Sequence, residues 1–415
     1  MGHKSSRAIK HNASSSSFLS RRRRRCCCIV LEGIVLASIV FTYHSYLQST
    51  IALPSDNEAL IFGQHRLYYE DKNKAMRSTR SHHSNNKQQQ QVASMTIVIR
   101  STGGRLGNNM FQYASSLGIV NDMRQQEQKQ QTQERHDPNA DSKITFCMHP
   151  EFDLPLLEEA VVGPLIPKCQ NLTSSSYYEL DDMQYATRHE IAISQLCNSR
   201  ADDDDSRSSY CTVALKGYYQ SWKYFETYQA TVRNIFQFQP AMQQQATDYM
   251  INLDTTAVAA APIKIGIHVR RGDMSTNDFY LRDPPLSYYQ NAMDYFADTY
   301  ASIHYLIVSD DPDWCAQQHM FISNTNNNDH HHVTIVRHDD ASNTFAAVAP
   351  SVDMAILSQC HHVITSRGSF GWWAAYLTNS KAIYYKDMFV LDHQENLGKV
   401  TVDDYYPSHW VGLGA

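Results

Sequence analysis

At 415 residues, with 42% apolar residues and a formal net charge of −6, the chain is too long for one small domain and has enough apolar content for a two-domain core. Its charge is unevenly placed: Lys4, Arg7, Lys10 and Arg21 to Arg25 hold eight of the 36 bases with no acid among them, which leaves 28 bases against 42 acids, a balance of −14, for the rest. An acidic body argues against nucleic acid as the partner, because binding a phosphate backbone needs a broad basic face.

Residues 1–25 read as a basic cytoplasmic tail and residues 26–47 as a transmembrane signal anchor. Cys26 to Tyr43 is almost unbroken apolar sequence, long enough to cross a bilayer, and Glu32 is its one charge. Five arginines on the amino-terminal flank set a single-pass type II orientation. A cleaved signal peptide is the rival reading, with Ala37 and Ser38 as small residues for the cut, but the long basic preface favours an anchor. Cys26, Cys27 and Cys28 suit either palmitoylation or apolar packing. Residues 48–94 are polar and biased in composition, as expected of a disordered stem, and His82 and His83 read as solvated rather than metal-binding.

Beyond Met95 strands and helices alternate. Two polar insertions, 121–142 and 324–332, are expected to be surface loops, and the run Asp202 to Asp205 a solvated loop, since adjacent carboxylates repel. Six cysteines remain in a segment expected outside the cytosol, where disulfides persist. Proximity suggests Cys147 with Cys169 and Cys197 with Cys211, leaving Cys315 for Cys360. Asn171-Leu-Thr173 is a glycosylation sequon, whereas Asn12 would lie on the cytoplasmic side.

Four strand ends carry the chemistry. Thr96 to Arg100 is a short strand, followed by a turn with Gly103, Gly104 and Gly107 and by a helix through Ala114 and Leu117, with Asn108 near its unpaired first amides. Ile265 to Asp273 is a strand that places Ile265, Ile267 and Val269 on one face and Gly266, His268 and Arg270 on the other, then ends in Arg270-Arg271-Gly272. Arginine's planar fork fits phosphate oxygens, so the segment reads as a diphosphate site, the rival being a solvated strand end. Arg271-Gly-Asp273 also spells an adhesion tripeptide, a minor reading at a strand end. Ile303 to Ser309 delivers Asp310 and Asp311, which suit a ribose, a base or a divalent metal, or which simply start a helix at Pro312. Val352 to Cys360 reads as a helix, His362 to Thr365 as a strand, Ser366 to Gly371 as a hydroxyl- and glycine-rich turn, and Trp372 to Leu377 as a helix whose tryptophans belong to the core.

His268-Val-Arg-Arg-Gly-Asp273, Ser309-Asp-Asp with Trp314-Cys315, the Asp353 helix with Gln359-Cys360, and Gly368-Ser-Phe-Gly-Trp-Trp-Ala-Ala-Tyr376 resemble, in order, the motifs of the galactoside α-1,2-fucosyltransferase family, glycosyltransferase family 11. Gly104-Arg-Leu-Gly-Asn-Asn-Met-Phe-Gln-Tyr113 is similar to that family's amino-terminal motif, and Lys216 to Phe225 to its central aromatic stretch. Asn109 stands where the family usually has Gln, and Arg367 is unusual ahead of the Gly-Ser-Phe turn.

The resemblance implies an α/β, GT-B-like fold of two Rossmann-like domains facing a cleft: an acceptor-side domain over 95–261 and a GDP-fucose-binding domain over 262–415. It implies inverting, metal-independent transfer of L-fucose from GDP-β-L-fucose to a galactose 2-hydroxyl on a glycan, without a cofactor, by a luminal domain held in the Golgi membrane. Carried onto this chain, Arg270, His268 and Asp273 are the catalytic candidates, with Asp273 the candidate base. Arg270, Asp310, Asp353, Ser366, Ser369 and Phe370 are donor-binding candidates, and Arg105 and Asn108 lie on the acceptor side of the cleft. The alternatives are a metal-dependent glycosyltransferase using Asp310 and Asp311, and a catalytically silent glycan-binding ectodomain.

Overall fold

Short β-branched runs separated by helices of ten residues or more are the pattern of a parallel sheet with helical crossovers, and the computed structural model contains two such sheets. It describes residues 94–100, 104–133, 143–150, 154–163, 166–170, 172, 177–182, 186–189, 193, 197, 210–254, 262–272, 281–322, 331–338, 345–390 and 400–415. The tail, the anchor, nearly all of the stem, Asn171, the acidic run at 202–205 and Asp273 lie outside them. No helix among the described residues is long and apolar enough to cross a membrane.

The first sheet contains β1 (Ser94–Arg100), β2 (Ile144–Met148), β3 (Tyr178–Asp182) and β4 (Tyr210–Gly217) in the order β2-β1-β4-β3, every pairing parallel. Ile97, Val98 and Ile99 are all buried, as a central parallel strand covered on both faces requires. Ile97 and Ile99 join the main core, whereas Val98 packs with Ala214 and with Cys147 and Cys169. Those two cysteines form a disulfide, as do Cys197 and Cys211, in the expected pairing.

Helix α1 (Leu106–Gln133) corrects the first insertion: residues 121–133 are helical, not loop. Gln, Glu, Lys and Arg lose little rotamer freedom in a helix. Side-chain bonds tie that glutamine-rich end down, from Arg124 Nη2 to the Ile144 carbonyl (3.0 Å) and from the Lys143 amide to Glu127 Oε1 (3.0 Å). The second insertion is also shorter than expected, because His331 and His332 already belong to a strand.

After α2 (Pro155–Ala160), α3 (Gln229–Ile235) and α4 (Pro240–Asp254), the second sheet begins with β5 (Ile263–Val269). It adds α5 (Leu286–Ala297), β6 (Ile303–Ser309), α6 (Pro312–Cys315), α7 (His319–Ile322), β7 (His331–Ile335) and α8 (Phe345–Ser358). Then follow β8 (His362–Ile364), α9 (Ser369–Thr378), β9 (Ala382–Tyr385), α10 (Val402–Tyr405) and β10 (Val411–Leu413). The strand order is β10-β9-β8-β5-β6-β7, all parallel. Counted from β5, that is the dinucleotide-fold order 3-2-1-4-5-6, whose direction of travel reverses between β5 and β8.

Both faces of β5 are covered: Gly266 lies against Leu357 of α8 and Cys360 just beyond it, and His268 against Gly371 of α9. One expectation changes here. Cys315 and Cys360 are free and buried rather than bonded. The physical reason is topological, since Cys315 follows the carboxyl end of β6 whereas Cys360 precedes the amino end of β8, on opposite edges of a parallel sheet.

Both sheets share one hydrophobic cluster inside the unit Gln90–Ala415. Phe111 of α1 meets Trp372 and Trp373 of α9 at ring-centroid distances of 4.5 and 5.0 Å, and Phe225 stacks on Trp373 at 5.6 Å. These tryptophans are core residues, as expected. Helix α10 returns to the first sheet's side, where the Asp404 carboxylate accepts from the Arg188 amide (2.9 Å) and Lys223 Nζ (2.7 Å).

Candidate functional site

Ligands of open α/β sheets bind beyond the carboxyl ends of the strands, at the point where strand order reverses. In the second sheet that point lies between β5 and β8, where His268, Arg270 and Ser366 meet. Ser366 Oγ accepts the Arg270 backbone N–H at 3.0 Å and stands 2.9 Å from His268 Nδ1, and Tyr289 hydrogen-bonds the same hydroxyl. His268 is 4% exposed. Burial, reinforced by the Arg270 charge, lowers its pKa to about 3, so its ring is neutral at neutral pH and Nδ1 can accept the Ser366 hydrogen. His268 therefore sits beneath the turn and acts through Ser366.

Asp310, at the end of β6, fastens the same turn. Its Oδ1 accepts the Arg271 N–H at 2.8 Å and its Oδ2 pairs with Arg270 Nη1. A side chain at Gly272 would run into that carboxylate and push it aside from the turn. Arg271 lies over the Trp314 ring, 3.9 Å from its centroid and 3.7 Å from Asp311 Oδ2. Asp311 Oδ1 accepts the Trp314 N–H (3.0 Å) and caps α6, the helix-start role that Asp311-Pro312 allowed. Among the described residues no group of three or more His, Cys, Asp or Glu side chains could hold a metal ion.

Helix α9 aims its amino terminus at this edge. Gly368 holds φ 86°, a left-handed conformation suited to glycine, and Ser369 and Phe370 open the helix, the Phe370 ring 5.2 Å from His268. Its unpaired first amides and helix dipole favour an anion. Arg367, the unusual residue of this turn, is 1% exposed. Its Nη1 donates to the Leu281 carbonyl (3.0 Å) and its Nε stands 2.9 Å from Asp283 Oδ1, so it anchors the segment ahead of α5.

Residues just beyond the carboxyl ends of β1 and β4 of the first sheet meet the same place. Asn108 Oδ1 accepts from Ser369 Oγ (2.5 Å) and from Gln220 Nε2 (2.9 Å). Gly107 backs directly onto the Ser369 and Phe370 backbone, so the amino termini of α1 and α9 touch. Gly104, at φ 91°, lies under the Asn108 side chain. Arg105 is exposed just ahead of α1, its carbonyl accepting the Asn108 N–H at 2.9 Å.

Of the expected site residues, the structure brings together His268, Arg270, Asp310, Ser366, Ser369, Phe370 and Asn108. Asp353 of α8 goes elsewhere, its Oδ1 2.7 Å from Nε2 of His338, a residue just past β7. The Asp353 hydrogen bond raises the pKa of His338, and burial raises that of Asp353. Three residues escaped sequence reasoning: His338, Tyr289 and Gln220. Only Gln220 had a signal, its place in the Lys216–Phe225 stretch.

Fold and site together describe an α/β protein with an arginine-bearing turn at a sheet switch point. Residues 204–414, just over half of the 415, match the family model "Glycosyl transferase family 11", and the chain belongs to that family. It is similar to galactoside alpha-(1,2)-fucosyltransferase 1 of Bos taurus, 28% identical over 213 residues, which are 49% of this chain and 54% of the relative. The protein of that name from Rattus norvegicus is 25% identical over 323 residues, 75% of this chain and 72% of the relative. The chain thus spans about half the length of the cattle relative. Among solved structures, a mutant of FUT1 from Arabidopsis thaliana with GDP aligns at TM-score 0.38 and 14% identity over 76% of this chain and 75% of that one. NodZ alpha-1,6-fucosyltransferase soaked with GDP-fucose aligns at TM-score 0.37 and 13% identity over 74% and 97%.

Proposed function

We propose that this chain transfers L-fucose from GDP-β-L-fucose to the 2-hydroxyl of a galactoside, with inversion and without an obligatory metal ion. Family membership and the names of the relatives support fucosyl transfer to a galactoside and the linkage. The observation that carries the reading is the Arg270 turn, held by Ser366 and Asp310 at the switch point and faced by the first turn of α9.

In this reading Arg270 and the α9 amides hold the diphosphate. As the acceptor oxygen bonds to the fucose anomeric carbon, the bond to the diphosphate breaks and its electron pair leaves with GDP. Fixed positive charge at that oxygen stabilises the developing anion. Asp273, next after Gly272 in the chain, takes the hydroxyl proton. Attack opposite the departing diphosphate converts the β-linked donor to an α-linked product. The cleft lies between a GT-B-like acceptor domain over 95–261 and a donor domain over 262–415. A type II anchor at 26–47 and a stem at 48–94 place both in the Golgi lumen, with a glycan on Asn171.

The metal-dependent alternative needs Asp310 and Asp311 together, but a cation would have to displace Arg270, the Arg271 amide and the Trp314 amide from their carboxylates. The test uses the full chain, GDP-fucose and other sugar nucleotides, and a panel of galactosides, with and without EDTA. Formation of an α-1,2-fucosylated product that persists in EDTA is expected. Loss of transfer in EDTA would favour the metal reading, and glycan binding with no turnover would favour a silent ectodomain.

A further inference from the structure

Gln220 lies outside the donor turn, yet it is 2% exposed and its Nε2 donates to the Asn108 oxygen that also receives the Ser369 hydroxyl. Its Oε1 is buried with no hydrogen-bond partner among the described residues. A half-satisfied buried amide destabilises the fold, and the backbone ahead of it adds strain. Tyr219 adopts φ 49°, a left-handed conformation that disfavours a bulky side chain. Three bonds hold it there: its hydroxyl donates to the Leu180 carbonyl (2.8 Å), and its carbonyl accepts from Ser115 Oγ (2.8 Å) and the Ser221 amide (2.8 Å). The first sheet thus maintains an unfavourable turn just beyond β4 that sends the Gln220 amide inward to Asn108.

What that amide accomplishes follows from donors and acceptors. An asparagine amide can turn over, exchanging its oxygen for its nitrogen. With Gln220 Nε2 donating, the Asn108 oxygen faces the seam, and Asn108 can turn over only if the Gln220 amide turns with it, since otherwise N–H would meet N–H. In this arrangement the Ser369 hydrogen points at Asn108, and both Ser369 lone pairs face away from it. Without Gln220 the Asn108 amide turns alone, and Ser369 loses the partner that restrains its direction.

We propose that Gln220 is a positioning residue that acts through Asn108 to orient Ser369 at the start of α9, and thereby the sugar nucleotide bound there. The inference rests on the proposed transferase reading and assigns Gln220 no contact with the reacting atoms. Its test is a double-mutant cycle of Gln220→Leu with Ser369→Ala in the full chain, reading kcat and donor KM for fucosyl transfer, with Tm alongside. For Gln220→Leu alone, kcat is expected to fall about tenfold, a modest misplacement effect, with donor KM within about twofold of the parent. In the Ser369→Ala background the same change should cost less than about twofold, because residues joined through one partner are not additive.

Equal losses in both backgrounds, or parental kcat in Gln220→Leu, would overturn the proposal. Should Gln220→Leu fail to fold, Gln220→Met repeats the cycle, and failure of both to fold makes the residue structural and also overturns it. A parent chain with no transferase activity counts against the proposed function, whereas an active parent with additive losses counts against Gln220 alone.

Discussion

At the carboxyl edge of the first sheet, Lys216 bridges Glu179 (3.0 Å) and Asp181 (2.9 Å) while Arg100 pairs with Glu179. At the carboxyl edge of the second, Arg270 and Arg271 meet Asp310 and Asp311. Both edges carry two bases and two acids, but they use them differently. The first joins side chain to side chain at partly exposed strand ends, where a pair contributes about 0–1 kcal/mol. The second joins side chain to backbone: Asp310 takes the Arg271 N–H, Ser366 the Arg270 N–H and Asp311 the Trp314 N–H. Such bonds fix the path of the chain and so the direction of the guanidinium, and preorganised charge is what a binding site for a diphosphate needs.

The largest effect should come from removing the preorganised charge. Arg270→Ala is expected to lower kcat/KM for GDP-fucose by roughly 10²–10³-fold, the scale for losing one stabilising group at a developing anion. Its Tm should stay near the parent, because the guanidinium is bound at the edge of the fold and not within it. Parental turnover would remove Arg270 from the account.

Next comes the scaffold beneath it. Ser366→Ala leaves the Arg270 N–H without its acceptor and His268 Nδ1 without its partner. Each buried polar group so orphaned costs about 1–3 kcal/mol, so both Tm and kcat should fall, unlike in Arg270→Ala. Denaturant unfolding with parallel kinetics would show this, and an unchanged midpoint would mean that the network does not support the turn.

A smaller, pH-dependent effect belongs to His338. Its pKa is raised in the folded state by the Asp353 bond, so its stabilisation is fully present below the ordinary imidazole value of about 6.5 and is lost as pH rises through the raised value. The stability gap between parent and His338→Gln should therefore narrow from about pH 6.5 upward. A gap that widens over that range would contradict the pairing.

The smallest effect is expected on the first sheet's edge, where Lys216→Ala should change stability by less than about 1 kcal/mol and turnover by less than about twofold. A loss approaching that of Arg270→Ala would erase the contrast between the two edges.

Much of the second edge was legible in the sequence. Strands ending in Arg270, Asp310 and Ser366 each combine an apolar run with a turn, and such signals are local. The other half of the site is built from contacts that no local pattern encodes. Ser369 and Asn108 are 261 residues apart, and Arg270 and Ser366 are 96 apart. His338, which follows a polar insertion, pairs with Asp353 fifteen residues on, and neither residue's neighbours announce the bond. The Gln-rich end of α1 escaped because it has no apolar face to give periodicity, only residues that favour helix by their own propensity. A central parallel strand buries both faces, so Gly266 and His268, which the period-two pattern only set opposite the apolar residues, mark close helix packing.

In this mechanism fixed protein charge at residue 270 holds the departing diphosphate. The decisive experiment is a crystal structure of the chain with GDP. Diphosphate oxygens are expected within about 3 Å of the Arg270 guanidinium and of the first amides of α9, the ordinary hydrogen-bond range. A diphosphate seated away from Arg270, or joined to Asp310 and Asp311 through a cation, would contradict it.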